Sequence, residues 1–425
     1  MTSTPSTYDV VVIGGGPAGS STAALLAREG HRVLLLEKEK FPRYHIGESL
    51  IPGCLGVVEE LGLWDRLEQL GFTKKYGGTL LWGATDGTWD FRFSDGSGYD
   101  YSFQARRADF DALLLTRARE LGADVIEEAT VKDVVFDGDR ATGLLYTVRG
   151  RDEPVRIDAR FILDASGQGR VLGRRLDLVE WHDDLKNVAV WSYFQGCGRL
   201  SDEKAGDIVV ENMWQEDNPP GWFWFIPLSD GTVSIGYVTR TALLKESGLT
   251  TDELFEKELA ASVEIKKLTA DATRASAYRT LRDWSYECNR FTGPGWAMVG
   301  DAAAFVDPLF STGVTLAMRG ALSLSTAVDT ALKEPERERA LLKEYEDNYR
   351  TFLGHVLDFV RFFYNVKMRK EQYWEGAQEI VDPERKMPPK IDFAALLSGI
   401  TGKAPSEEIL REARLKSEQI QSTQP

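Results

Sequence analysis

The sequence predicts an α/β fold: a parallel-sheet half, an antiparallel β-sheet and a helical C-terminal region. Three observations predict it. The run Tyr8 to Ile13 is short, apolar and β-branched, as a buried parallel strand should be, and glycines follow at 14, 16 and 19. The stretch Trp222-Phe223-Trp224-Phe225-Ile226-Pro227 alternates as a strand does. From about residue 335 onward apolar residues recur at helical spacing.

In the first half, Gly14 permits a tight turn, Gly16 lets backbone approach a pyrophosphate, and Gly19 allows a helix to pack closely on the sheet. Pro17 and Ala18 complete this loop. Ser20 to Glu29 reads as an Ala/Leu-rich helix whose N-terminus faces phosphates, and Gly30 ends it. Arg32 to Leu36 is the next strand. Glu37 and Lys38 follow at its end, where an acid can accept from ribose hydroxyls. A lone glycine pattern is weak evidence, but strand, glycines, helix, strand and acid in this order make a dinucleotide site.

Composition bounds the rest. The chain has 425 residues, long enough for two domains with their own cores, and 43% are hydrophobic, ordinary for a globular protein. Its net charge of −15 argues against wholesale binding to nucleic acid or anionic membrane. The three cysteines and four histidines are scattered, with no metal-ligand spacing and no even disulfide framework, so no metal is expected and a reducing cytoplasm is the simplest compartment. No N-terminal signal pattern and no membrane-length apolar run is visible.

Further strings choose the cofactor. Val299-Gly300-Asp301 follows an apolar stretch and leads into Ala302, Ala303 and Ala304, read as the start of a helix. Asp164-Ala165-Ser166-Gly167 lies between, and Arg107 opens Arg-Ala-Asp-Phe-Asp. In this order they resemble the flavin motifs of the aromatic hydroxylase superfamily. One FAD accounts for all of them, held by the residues named above together with Pro308 and Gly313.

Three more strings carry a narrower resemblance: Gly47-Glu48-Ser49-Leu50-Ile51-Pro52, then Phe72-Thr73-Lys74-Lys75-Tyr76-Gly77, and Trp222 to Pro227, which fits WxWxIP. With Asp307 to Gly313 they make the chain similar, from about residue 7 to about 370, to flavin-dependent halogenases acting on phenols, pyrroles or carrier-tethered acyl groups. The resemblance implies that FADH2 activates O2, that chloride or bromide captures the activated oxygen as hypohalous acid, and that a lysine receives or orients this oxidant. It gives the catalytic roles to Lys75 and Glu48, halide binding to Thr312 and Gly313, and a partition between flavin and substrate to Trp222, Trp224, Ile226 and Pro227. Lys74 would point to the opposite strand face. From the lysine pair alone, solvated surface charge is the simpler reading. Two indoles on one face are also what a packed core contains, and Ser311 or Thr312 could simply cap a helix. Asp283 aligns loosely with a position that carries a covalent flavin link in some relatives.

The resemblance also implies an interleaved organisation: 1–75, 104–176 and 283–335 for the FAD-binding domain, 76–103 and 177–282 for the substrate domain, and 336–425 for the helical region. Leu80 to Tyr101 alternates as strands do. After Pro405, Ser406 can cap a final helix. No second nucleotide-binding domain is seen, so a separate flavin reductase is the expected partner. An aromatic small molecule or an acyl or peptidyl carrier protein would bring the substrate, and Lys367, Arg369 and Lys370 could meet an acidic carrier. Tryptophan halogenases are usually longer, which makes free indole a less favoured substrate. The rivals are an FAD-dependent aromatic monooxygenase reduced in place by NAD(P)H, an isoprenoid reductase of the geranylgeranyl type, and a non-enzymatic flavin-binding module.

Overall fold

The computed structural model describes residues 7–151, 153–213, 221–282 and 284–399. Two large sheets organise them. In the first, Thr7–Ile13 sits between Val155–Asp164 and Val33–Leu36 in parallel register, with Asp124–Ile126 beyond one side and Trp296–Met298 beyond the other. Val10, Val11 and Val12 are fully buried because helices pack on the strands, as continuous β-branched runs require. The helices Pro17–Arg28, Arg107–Glu120 and Gly313–Lys333 pack together on this sheet.

The second sheet is antiparallel except where Ile208–Asn212 pairs in parallel with Gly77–Leu81. Trp222–Pro227 lies near its centre, between Ile208–Asn212 and Thr232–Arg240. Its alternation has a direct packing cause. Trp222, Trp224 and Ile226 face the C-terminal helices Glu338–Phe363, Lys370–Val381 and Pro389–Leu397, sharing a core with Phe359, Phe363 and Phe393. Phe223 and Phe225 face the opposite way, onto a core with Leu254, Phe255 and Ile265 from the short helices of 241–268. Both faces are covered, so both sets of side chains are large and apolar. A separate two-stranded ribbon pairs Thr73–Lys75 with Ser102–Gln104.

Three expectations change. Ala302 to Ala304 do not begin a helix. Gly300, at φ 63°, opens a single tight turn, and Ala304–Phe305 then pairs with Tyr286 and Glu287, so the helix waits until Gly313. The alanine run favours helix locally, but strand pairing overrides propensity. Between Leu80 and Tyr101 the strands are Gly77–Leu81 and Trp89–Arg92, followed by a 3-10 turn at Phe93–Asp95 rather than further strand. The stretch 283–335 feeds both sheets: Trp284–Cys288 and Ala304–Phe305 join the antiparallel one, Trp296–Met298 the parallel one. Asp283 and the segment after Pro405 lie outside the described residues. No helix among the described residues is long and apolar enough to cross a membrane.

Candidate active site

A cavity of about 810 Å³ runs from the glycine loop to the tryptophan strand, a size that suits an extended cofactor. At one end Gly14 turns the chain at φ 99°, and the helix from Pro17 starts with no side-chain cap and no acidic residue in its first turn. Its positive end is therefore free to meet an anion. Gly14, Gly16, Pro17 and Ala18 line this end. A Cβ on Gly16 would meet only the Arg43 guanidinium, at 3.6 Å, so the residue leaves space on the cavity side. Gly19 is off the wall; a Cβ there would stand 1.9 Å from the Gly14 carbonyl oxygen, so its role is packing.

Glu37 lines the cavity, buried, and accepts from the Gly15 amide at 2.6 Å and the Glu39 amide at 2.7 Å. Lys38 stands at the exposed rim. Arg107 is buried and held by Asp111, with Nε and Nη2 donating at 2.8 and 3.0 Å, while Nη1 donates to the Ile46 carbonyl at 3.0 Å. Asp301 also faces the cavity. Burial pushes its carboxyl up to about 6, and the Arg107 charge draws it partly back. A half-buried carboxylate at that point suits a ligand that brings hydroxyl donors. Pro308 and Gly313 complete the wall, and a Cβ on Gly313 would meet open space. These features fit FAD.

Besides Gly19, three of the expected cofactor and halide residues stand off the wall. The Asp164 carboxylate accepts from the Ser166 and Leu172 amides at 2.9 and 2.7 Å. It shapes the turn Ala165–Gly169, which lines the cavity, without lining it itself. Gly300 packs against Ala18 and Ala317 between two helices. Thr312 is buried and caps nothing with its hydroxyl; its neighbours Ser311 and Gly313 reach the wall. The amides that begin the following helix remain suited to a halide.

A second, much smaller cavity of about 20 Å³ adjoins the first. It has room for a water-sized molecule and not for an aromatic ring. Lys75 lines it with Phe91, Phe363 and Leu397, and Ile208, Leu309 and Ser311 line both cavities. Lys75 is only 2% exposed. Its Nζ donates to Ser49 Oγ at 2.8 Å and to the Leu50 carbonyl at 3.3 Å. Burial lowers its amine to about 7, opposed by the charge of Asp207. Asp207 is itself fixed by the Tyr76 and Gly77 amides and by Arg92, each at 2.9 Å. Lys74 points outward, 3.2 Å from Glu68 and over the Tyr101 ring.

Trp222, Trp224 and Ile226 line the large cavity. The indoles lie 6.0 Å apart, and their N–H groups donate to Tyr364 Oη at 2.8 Å and Ser234 Oγ at 3.2 Å. Pro227 closes the strand beside them and is not on the wall. On the lysine side, the boundary between the cavities is made by Ile208, Leu309 and Ser311 rather than by the tryptophans. Glu48 also faces the large cavity, buried, accepting from Tyr193 Oη at 2.5 Å and the Gly47 amide at 3.2 Å. Burial raises its carboxyl.

Sequence reasoning missed Ser49, Tyr193 and Asp207. Ser49 stands inside the Gly-Glu-Ser string, so a signal for it existed. Asp207 and Tyr193 carry none, since each meets its partner across more than 100 residues of chain.

The sequence profile of the FAD binding domain family matches residues 7–360, which defines the chain as a member of that FAD-binding family. A tryptophan 2-halogenase from Chondromyces crocatus is 36% identical over 409 residues, covering 93% of this chain and 76% of that protein. A 1H-pyrrole-2-carbonyl-[peptidyl-carrier protein] chlorinase from Pseudomonas fluorescens is 32% identical, covering 85% and 84%. Among solved structures, the myxobacterial chondrochloren halogenase CndH superposes with a TM-score of 0.79 at 33% identity, over 97% of both chains. The flavin-dependent brominase Bmp2 gives 0.82 at 26% identity, over 99% of this chain and all of that one. The chain belongs to the flavin-dependent halogenases.

Proposed function

We propose that this enzyme installs chloride or bromide, chloride first, on an electron-rich phenolic or pyrrolic ring by way of hypohalous acid and the Lys75 amine. The observation that carries the reading is the Lys75 amine, buried beside a water-sized cavity that adjoins the flavin cavity. Bound FAD, once reduced, supplies the electrons that activate O2. The residues do the rest. Amides at the start of the Gly313 helix hold the halide. Ile208, Leu309 and Ser311 restrict passage to a small oxidant. Lys75, with its amine near 7, is available both as a nucleophile toward halogen and, protonated, as a donor that polarises it.

The carrier-bound pyrrole in the name of one relative supports a ring of this class, and the tryptophan in the name of another is the ring against which the reading is tested. A carrier-tethered substrate is part of the proposal, with exposed Lys367 and Arg369 as its docking charges. The test is mass spectrometry of free and carrier-tethered phenols and pyrroles, with tryptophan included, after incubation with enzyme, flavin reductase, NADH, FAD and chloride or bromide. A halogen isotope doublet on a phenol or pyrrole is expected; a hydroxylated product, or halogenation of tryptophan alone, overturns the reading. NADPH without reductase is expected to leave the bound flavin oxidised, as followed by its absorbance. Rapid bleaching stimulated by an aromatic compound would identify a hydroxylase.

Burying the amine also costs stability. A lysine with a lowered folded pKa burdens the fold most at pH below about 7, and the burden lifts as pH rises toward the unfolded value of 10.5. Lys75→Met is therefore expected to be more stable than wild type by about 1–2 kcal/mol at neutral pH. That gap should widen below pH 7 and close above it, as measured by urea unfolding across pH.

A further inference from the structure

On the proposed function, the flavin cavity has a proton requirement. Reduced flavin, O2, one halide ion and one proton give oxidised flavin, hypohalous acid and one water. Hypohalous acid and the arene then give halogenated arene and water, with no net proton. All of the proton uptake therefore falls in the flavin half.

A chain of hydrogen-bonded groups runs from a buried carboxyl on the cavity wall to a solvent-exposed tyrosine. Glu48 Oε1 lies 2.5 Å from Tyr193 Oη, and Tyr193 Oη lies 3.0 Å from Tyr44 Oη. Glu48 and Tyr44 both line the cavity, Glu48 buried at 2% exposure and Tyr44 open to solvent at 43%. The Trp191 indole donates to Tyr44 Oη at 2.8 Å, and the Arg279 guanidinium lies over the Tyr44 ring at 4.0 Å, so the outer residue is held in place. We propose that Glu48, Tyr193 and Tyr44 form the path by which the proton consumed at the flavin enters from solvent.

The chain has two hydrogen-bond polarities. With Glu48 ionised, Tyr193 donates to Glu48 and Tyr44 donates to Tyr193. With Glu48 protonated, Glu48 donates to Tyr193, Tyr193 to Tyr44, and Tyr44 to water. Each passage reverses every bond, so one proton enters at Tyr44 and one leaves from Glu48 with no tyrosinate formed. Both tyrosines are held above their ordinary range, Tyr193 by burial and the neighbouring Glu48 charge and Tyr44 by partial desolvation, which favours this concerted route over ionisation. The charged and titratable groups facing Glu48 are Arg107, Tyr193 and, beyond it, Tyr44 and Arg279. His45, an exposed side chain, donates its Nδ1–H to the Ile46 carbonyl at 2.6 Å and stands outside the path.

Two variants test it, Tyr193→Phe and the surface change Tyr44→Phe. The first readout needs no turnover: hydrogen–deuterium exchange of the Glu48 carboxyl in the FAD-loaded protein. It is followed by its infrared C=O band on the acid side of neutrality, and the band is identified by its loss in Glu48→Gln. Exchange should slow by about tenfold or more in each variant. The second readout is product formation, which should fall by about 100-fold in Tyr193→Phe with FAD retained, the scale of a lost acid–base function. Wild-type exchange rates in both variants would overturn the relay. If wild-type enzyme makes no halogenated product, the halogenation reading fails, while the exchange measurement still judges the path by itself.

Discussion

Lys75→Ala is expected to keep FAD and to continue consuming reduced flavin and O2, while halogenated product falls by about 10²–10⁴-fold. The separation follows from where the residue stands. Lys75 does not line the flavin cavity; it faces the adjoining one and reaches toward the first only through Ser49, at 2.8 Å. On the proposed function, removing the amine leaves oxidant formation in place and removes its receiver. The oxidant then leaks, and a chromogenic hypohalite trap in the medium should register it. Lys75→Arg should not restore product, because a guanidinium stays protonated and the cavity of about 20 Å³ has no room for its fork. Lys74→Ala should behave as wild type, since that side chain is turned to Glu68 and Tyr101 on the outer face. Stopped-flow absorbance follows the flavin and mass spectrometry counts the product. Wild-type halogenation by Lys75→Ala, or sensitivity at Lys74 instead, would remove the lysine from its assigned place.

The distinction between the two lysines is legible in the sequence, because strand alternation sends neighbours to opposite faces. The glycine loop is legible for a similar reason: each glycine answers a local geometric demand. Sequence patterns mislead where distant chain decides. Ala302 to Ala304 read as helix because alanine favours it, yet Tyr286 and Glu287 pair with Ala304 and Phe305 and claim the segment for a strand. Asp164 carries the same local string whether its carboxylate meets a ligand or the Leu172 amide, and only the fold shows that it takes the amide. The Asp207 carboxylate that opposes the lowering of the Lys75 amine comes from beside a strand far along the chain, with no motif to announce it. The WxWxIP tryptophans are legible as a strand face, but the boundary of the lysine cavity depends on Ile208, Leu309 and Ser311, and no single string contains them.

Gly16→Val is expected to fold and to lose FAD, and neighbouring glycines should behave differently. Gly16 has φ −70°, which valine adopts without strain, and its added Cβ would meet only the Arg43 guanidinium at an ordinary 3.6 Å. The apoprotein therefore has little reason to object. The branched side chain would instead fill the space at the positive end of the Pro17 helix, where a pyrophosphate must come close to backbone. A loss of about 3 kcal/mol there, a weakening of more than about 100-fold, is enough to strip the flavin during gel filtration. Gly19→Ala should fail earlier, at folding, because its methyl would stand 1.9 Å from the Gly14 carbonyl oxygen, and backbone cannot step aside as a side chain can. Gly14→Ala meets the Ala165 carbonyl oxygen at 2.5 Å and is held at φ 99° as well, so it should also lose the fold. Flavin absorbance after gel filtration, read beside circular dichroism, separates the three. A Gly16→Val protein that keeps stoichiometric FAD would mean that the pyrophosphate lies elsewhere; one that is unfolded would mean that the open side of Gly16 is needed by the chain itself.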